Sequence, residues 1–372
     1  MTRAMVQDDF IIAEMQSLSV EGSGRTRSAI VPRAAQGEGF KEAYDWTTLW
    51  YDALADGRHL RLICPKLLNF RTFFVDGALK IDGQPARIRR TSRHRRHDIV
   101  ELDLPDGAER VSTRTGRWQG ESGISPMQTA HFAGLNASLH ISRNNRLDWI
   151  EDWARFHIAE HGLEAMLLMD NASDAYPPEA ILDTMARAGL KRGVVLKVPQ
   201  SYGPVRSKTG GGGAKFLQPA MLNHARLRFL SRARAVLNAD IDEIVWSRDG
   251  SVFDAAVESP LGLVAFEGNW TSPPMRSQPP FRHADHLHPE VGVGPCPTKY
   301  CIRPDGWRRH LSWDVHRPSL PLPMRLLKRS DFGYWHCRAI TTNWKNYDRL
   351  QPRRSTEADP FAAETFARLL PQ

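Results

Sequence analysis

From Ser138 to Val245, apolar runs of strand length alternate with amphipathic runs of helical period, and this alternation constrains the fold more than any other feature. Ala137–Ser142 reads as a strand. Asp148–His161 reads as a helix with Trp149, Trp153 and Phe156 on one face, stopped by Gly162. Glu164–Met169 is a second strand, Pro178–Ala188 a second helix ended by Gly189, and Gly193–Val198 a third strand. After a loop over Ser201–Lys215, Gln218–Leu237 reads as one long helix, and Leu237–Val245 as a buried strand with an acidic tip. Strand–helix alternation of this kind implies an α/β fold: an open, mostly parallel sheet flanked by helices. Ligands bind such sheets beyond the carboxyl ends of the strands. That rim would carry Arg143–Asn145, Asp170–Asp174 and Asp240–Asp242.

The rim residues suggest a chemistry. Asp240 and Asp242 stand two apart, so on a strand they share a face, and Glu243 would point the other way. Two like charges on one buried face are costly unless a cation compensates them. An oxygen-liganded divalent ion, Mn²⁺ or Mg²⁺, is the natural compensator. Taken alone, the same triplet also reads as a solvated turn. Asp170, Asn171 and Asp174 can accept hydrogen bonds from a base or a ribose, or can cap the following helix as an Asx turn. Arg143 can meet a phosphate or close an ion pair.

The remainder of the chain reads differently. Residues 1–40 look like a loosely held extension. Residues 41–137 contain short extended runs (Leu60–Cys64, Thr72–Val75, Ala78–Ile81, Ala86–Arg89, Ile99–Leu104, Arg110–Ser112), several divided by Asp76-Gly77, Asp82-Gly83 and Asp106-Gly107. Asp-Gly between extended runs signals hairpins, so a small antiparallel β-rich domain is expected there. The 372 residues allow one large domain or two ordinary ones. No apolar run is long enough for a membrane-spanning helix, and the start lacks a signal peptide's apolar centre. Four cysteines are too few for a disulfide framework and fit a reducing compartment, which points to the cytoplasm. The formal charge of +8 gathers in Arg87–Arg96 and Arg303–Arg329, where it could face an anionic surface or simply keep a strand edge soluble.

Three further groupings carry competing signals. Gly210–Gly213 followed by Lys215 lacks the Gly-Lys-Ser/Thr ending of a phosphate loop and reads as a lid. His283, His286 and His288 with Cys296 and Cys301 could build a zinc site, but their spacing is not typical, and Thr271–Thr298 reads better as a long acceptor-side loop. His157 lies on the tryptophan face of its helix and reads as a satisfied, semi-buried histidine.

In order along the chain, Ser142-Arg143-Asn144-Asn145, Trp149–Trp153 with Phe156-His157, Met169–Asp174, Gln218…His224…Asp240-Ile241-Asp242-Glu243, Lys299–Pro304 followed by His316, and Tyr334–Arg338 followed by Trp344–Arg349 resemble a set of blocks found in the family-2-like and family-92-like glycosyltransferases of the GT-A fold. Asn145 stands where that pattern has Glu, Asp152 replaces its Glu, and the spacing departs by one residue in two blocks. The resemblance covers roughly residues 138–350. It implies a GT-A glycosyltransferase domain there, after a 41–137 accessory domain and before a 351–372 tail. It also implies Mn²⁺- or Mg²⁺-dependent transfer of a sugar from a nucleotide-sugar donor, a UDP-sugar first among them, to a glycan or lipid-linked acceptor, with inversion. Asp170, Asn171, Asp174, Arg143 and Asp240 would meet the nucleotide. Asp242 would ligate the metal directly, with Asp240 beside it and His336, ahead of His316, completing the set. Glu267 is the first candidate for the catalytic base and Asp314 the second. A role in surface polysaccharide assembly follows, with a peripheral contact at the inner membrane face and no nucleic-acid partner. The alternative from another class is a non-catalytic carbohydrate- or nucleic-acid-binding protein that keeps the fold and uses Arg87–Arg96 and its tryptophans.

Overall fold

The computed structural model describes residues 8–75, 77–204, 214–342 and 357–370. Within it the chain divides into two compact units: Met1–Ala13, Thr129–Lys197 and Phe229–Gln372 form one, Glu14–Gln128 and Val198–Arg228 the other. These boundaries differ from the sequence expectation at two places. Phe10–Ala13, expected in a loose extension, is a strand of the first unit, and the 198–228 segment belongs with the β-rich unit.

The first unit is a mixed ten-stranded sheet with helices. Its strands are β1 (Phe10–Ala13), β2 (Asn136–Ser142), β3 (Ala165–Asp170), β4 (Arg192–Lys197), β5 (Ala235–Asn238), β6 (Glu243–Ser247), β7 (Leu263–Ser272), β8 (His288–Pro289), β9 (Cys296–Ile302) and β10 (Lys328–Cys337). They lie in the order β1-β4-β3-β2-β5-β9-β7-β10-β6, with β8 against β7. The first five strands in this order run parallel; β9 then pairs antiparallel with both β5 and β7. Helix α1 (Leu147–His161) and helix α2 (Pro178–Ala188) connect the parallel strands and end on Gly162 and Gly189, whose φ values of 68° and 99° suit glycine and close each helix with a left-handed cap. Trp149, Trp153 and Phe156 turn inward as their spacing implies, into a core with Met166, Leu168, Leu237 and Trp335. Helices α3 (Val252–Glu258) and α4 (Pro360–Leu369) complete this unit, and Phe366 of α4 packs on Phe156 and Trp335.

The expected long helix over 218–237 is not one helix. The α-helix spans Leu217–Ala225, a π turn follows at Arg226–Leu230, and extended chain resumes at Ala235. The expected strand 237–245 is also broken. β5 ends at Asn238, residues 239–242 form a turn, and β6 starts at Glu243 on the far edge of the sheet beside β10. Asp240 and Asp242 therefore sit in a turn between two strands.

The second unit is built from antiparallel sheets, five-, four- and two-stranded, apart from a short parallel pairing of Ser125–Pro126 with Leu54–Ala55. Asp82-Gly83 is the two-residue turn between Leu79–Ile81 and Gln84–Pro85, and both residues have positive φ (46° and 80°), as a hairpin of this length favours. Asp106-Gly107 instead joins strands of two different sheets, and 72–75 is not a strand: a 3₁₀ helix covers Leu68–Phe73. Trp50, Leu62, Phe70, Phe73, Val100 and Val111 form the core of this unit. Asp76, Gly210–Gly213 and Trp344–Arg349 lie outside the described residues. Among the described residues, no helix is long and apolar enough to cross a membrane.

Candidate metal and donor site

Strand register builds the site. Asn238 at the end of β5 lies opposite Leu139 of β2, and Asp170 at the end of β3 lies opposite Ser142. The carboxyl ends of three neighbouring parallel strands thus bring residues 143, 170 and 239–242 to one edge. In the turn after β5, the Glu243 N–H donates to the Asp240 carbonyl (3.0 Å) and the Asp240 N–H donates to Glu243 Oε2 (2.8 Å). Ile241 is buried between the two aspartates and pins the turn to the core, while its carbonyl accepts from His283 Nε2 (2.8 Å).

Glu243 does not point away. It lies directly across the β6–β10 ladder from His336, and residues opposite each other in an antiparallel pair share a face. Glu243 Oε1 is 3.8 Å from His336 Nδ1, and His336 Nε2 is 3.1 Å from Asp242 Oδ2. Possible ligand atoms of Asp242, Glu243 and His336 all lie within 4.8 Å of one another, and theirs is the group among the described residues that could hold a metal ion. Two carboxylates and an imidazole suit Mn²⁺ or Mg²⁺, with Zn²⁺ also accommodated by the imidazole. Trp270 of β7 stacks on the His336 ring (centroids 3.9 Å apart, planes at 19°), which fixes its orientation. Cys296 Sγ is 3.8 Å from His336 Nδ1, and burial pushes that thiol up to about 12, so it is protonated at neutral pH.

Asp240 is engaged elsewhere. Its Oδ2 lies 2.9 Å from Nζ of Lys299, a β9 residue that is 1% exposed, and the same ammonium lies 2.8 Å from Glu243 Oε2. Burial alone would lower the lysine pKa, but the two carboxylates outweigh it and hold the ammonium well above its ordinary value. Burial raises the Glu243 carboxyl and Lys299 opposes that rise. Beside the turn, burial lowers His140 to about 3, so its ring is neutral, with Nε2 3.0 Å from Ser138 Oγ.

The other candidate residues divide between this edge and other tasks. Asp170 is buried at the tip of β3; burial raises its pKa against a hydrogen bond from the Ser173 hydroxyl and the charge of Arg143. Asn171 is buried beside it, its N–H on the Ser142 carbonyl (2.8 Å). Asp174 is exposed and locked to Asn144: its N–H donates to Asn144 Oδ1 (2.9 Å), and Asn144 Nδ2 donates back to its carboxylate (2.8 Å). That pairing braces the loop before α2. Asp314 is half-buried; its carbonyl accepts from the Tyr300 hydroxyl (2.9 Å), next to Asn238. Glu267, the first candidate for the base, is exposed at a β-bulge of β7, ion-paired with Lys328. His316 is exposed.

The zinc grouping is not assembled: His283 serves Ile241, His286 bridges the Arg282 carbonyl (2.9 Å) and the Ala339 N–H (3.0 Å), and Cys301 is buried within β9. His157 is satisfied, donating to the Trp153 carbonyl (2.7 Å) and accepting from the Val245 N–H (3.1 Å). Sequence reasoning missed Lys299, Glu243, Trp270 and Cys296 as members of the cluster. Lys299 and Glu243 stand in blocks that carry the resemblance and Cys296 in the zinc grouping, but nothing local assigns any of them to this cluster, and Trp270 has no signal at all.

No protein-family model matches the chain, and no curated protein matches it. Solved structures that it matches include Staphylococcus aureus TarS (15% identity, 39% of this chain and 23% of that one) and a mannosyltransferase from Pyrobaculum calidifontis in complex with GDP-Man and Mn²⁺ (11%, 47% of this chain and 46% of that one). A third is the galactosyltransferase LgtC in complex with donor and acceptor sugar analogues (15%, 48% of this chain and 60% of that one). The chain thus spans less than two thirds of each, and the TM-score is 0.25 in all three. Likeness at that level supports no conclusion about chemistry, which rests here on the residues of the chain itself.

Proposed function

We propose that this protein is a metal-dependent glycosyltransferase that moves a sugar from a nucleotide-sugar donor to a hydroxyl of a glycan or lipid-linked acceptor. The observation that carries this reading is the Asp242–Glu243–His336 cluster beside the carboxyl ends of the parallel strands, where α/β sheets bind ligands. Asp242, Glu243 and His336 would hold a divalent ion, which would supply positive charge for a leaving diphosphate. The chain's own groups do the rest. Asp170 and Asn171 accept from the base and ribose of a nucleotide, a uridine first among the candidates, and Arg143 adds positive charge beside them. Asp314 removes the proton of the acceptor hydroxyl in an inverting transfer, a role for which the exposed, ion-paired Glu267 is less suited.

Exposed Trp307, Leu322 and Leu326 stand among Arg309, Arg317, Arg325 and Arg329, a composition that suits peripheral contact with an anionic leaflet during surface polysaccharide assembly at the cytoplasmic face. Co-sedimentation with phosphatidylglycerol vesicles at low salt tests this contact; no binding removes it. The enzymatic reading is tested by screening nucleotide sugars for Mn²⁺-dependent release of nucleoside diphosphate. Release from one donor, lost in Asp242→Ala, supports it. Failure of the purified chain to bind any nucleotide sugar with or without Mn²⁺ sinks it and leaves the binding-protein alternative.

A further inference from the structure

We propose that Lys299 is a built-in counter-ion that takes Asp240 out of the metal's ligand set and limits the site to a single divalent cation. This rests on the metal-dependent reading above and names a residue that acts on the ion through its neighbours. The Lys299 ammonium sits between two carboxylates, 2.9 Å from Asp240 and 2.8 Å from Glu243, and its side chain is 1% exposed. The oxygens it occupies are Asp240 Oδ2 and Glu243 Oε2, and the latter also accepts the Asp240 N–H. Glu243 Oε1 instead faces His336 Nδ1, and Asp242 Oδ2 faces His336 Nε2. With Asp240, Asp242 and Glu243 ionised, three negative charges and one ammonium leave two, which one divalent ion neutralises.

Burying three carboxylates together is costly without compensation. Lys299 supplies part of it permanently, so the turn keeps its shape before any ion arrives. The same charge opposes an incoming cation. At such separations a unit charge in a partly buried site alters cation affinity by roughly ten- to a hundredfold. Lys299 therefore holds metal affinity down and keeps Asp240, a quarter exposed, available to a ligand's hydroxyls.

Calorimetric titration of the full chain with MnCl₂ tests this without reference to activity. The wild-type chain binds one Mn²⁺. Lys299→Met binds Mn²⁺ at least about tenfold more tightly, and Lys299→Arg, which keeps the charge, restores the wild-type value. Asp240→Asn, a near-isosteric change on a partly exposed side chain, keeps the proposal testable if Lys299→Met does not fold: it removes a nearby charge but no ligand, so it weakens Mn²⁺ by less than about a hundredfold, whereas a direct ligand would cost more. Unchanged or weaker binding in Lys299→Met, or loss of about a hundredfold or more in Asp240→Asn, overturns the role of Lys299 while leaving the metal site standing. Absence of Mn²⁺ binding by the wild-type chain overturns the metal site, and this inference with it.

Discussion

Two Asp–His clusters in this protein invite comparison. In the β-rich unit, Asp52 is fully buried and saturated: Oδ1 accepts from the Gln16 and Ala53 N–H groups (both 2.9 Å) and the Ser125 hydroxyl (2.8 Å), and Oδ2 meets His224 Nε2 (2.7 Å) and Arg228 Nη1 (3.0 Å). In the sheet unit, Asp242 is 17% exposed beside the His336 imidazole, and Asp240, Asp242 and Glu243 stand with one lysine and one histidine. The first cluster has one acid, a histidine, an arginine and no unmet demand for charge. The second keeps an excess of negative charge at an open edge. The same residue types thus make a clasp in one place and a candidate cation site in the other, and what separates them is saturation and access.

Substitution should break this comparison cleanly. Asp242→Ala is expected to lower Mn²⁺-dependent nucleotide release by about a thousandfold or more, because the charge that stabilises the leaving group is lost, while thermal unfolding in EDTA moves little. Asp52→Ala should do the reverse, costing about 3–5 kcal/mol in chemical denaturation because it strands Arg228 and His224 in the interior. If Asp52→Ala unfolds like the parent, its cluster is not a clasp.

A pH series gives the next largest effect. His161 donates to the Val245 carbonyl (2.8 Å), and burial lowers it from 6.5 to about 4. Its folded pKa lies below its unfolded one, so between those values the unfolded chain binds the extra proton and stability falls as the pH drops from about 6.5 to about 4. The loss is about 3 kcal/mol for this one group, and His161→Gln should flatten that part of the urea-stability profile by about one proton. The smallest effect is at Glu267. Its exposed pair with Lys328 should be worth under about 1 kcal/mol, and Glu267→Gln should leave turnover within a few-fold, whereas Asp314→Asn should abolish inversion chemistry. A turnover loss in Glu267→Gln as large as that in Asp242→Ala would return the base to Glu267.

Much of the parallel half of the sheet was legible because its signals are local. Helical period placed Trp149, Trp153 and Phe156 inside, Gly162 and Gly189 ended their helices, and alternation brought residues 143, 170 and 240 to one edge. The 218–237 segment misled because Leu222, Ala225, Phe229, Ala233 and Val236 keep a helical spacing through the π turn at Arg226–Leu230 and into the strand at Ala235–Asn238. The antiparallel half was barely legible, since its strands pair with partners far away in the chain.

The sequence by itself determined that acids would gather after β5 on the ligand edge of an α/β sheet. Only the tertiary structure decided which of them gather with His336 in the candidate cation site. Lys299 reaches Asp240 from 59 residues away, and His336 reaches Asp242 from 94, through β9 and β10. Strand register, which one residue of slip would reverse, turned Glu243 toward His336 and gave Asp240 to the lysine. Local spacing specifies which residue types stand near one another along the chain; the long-range ladder alone sets which face each of them shares.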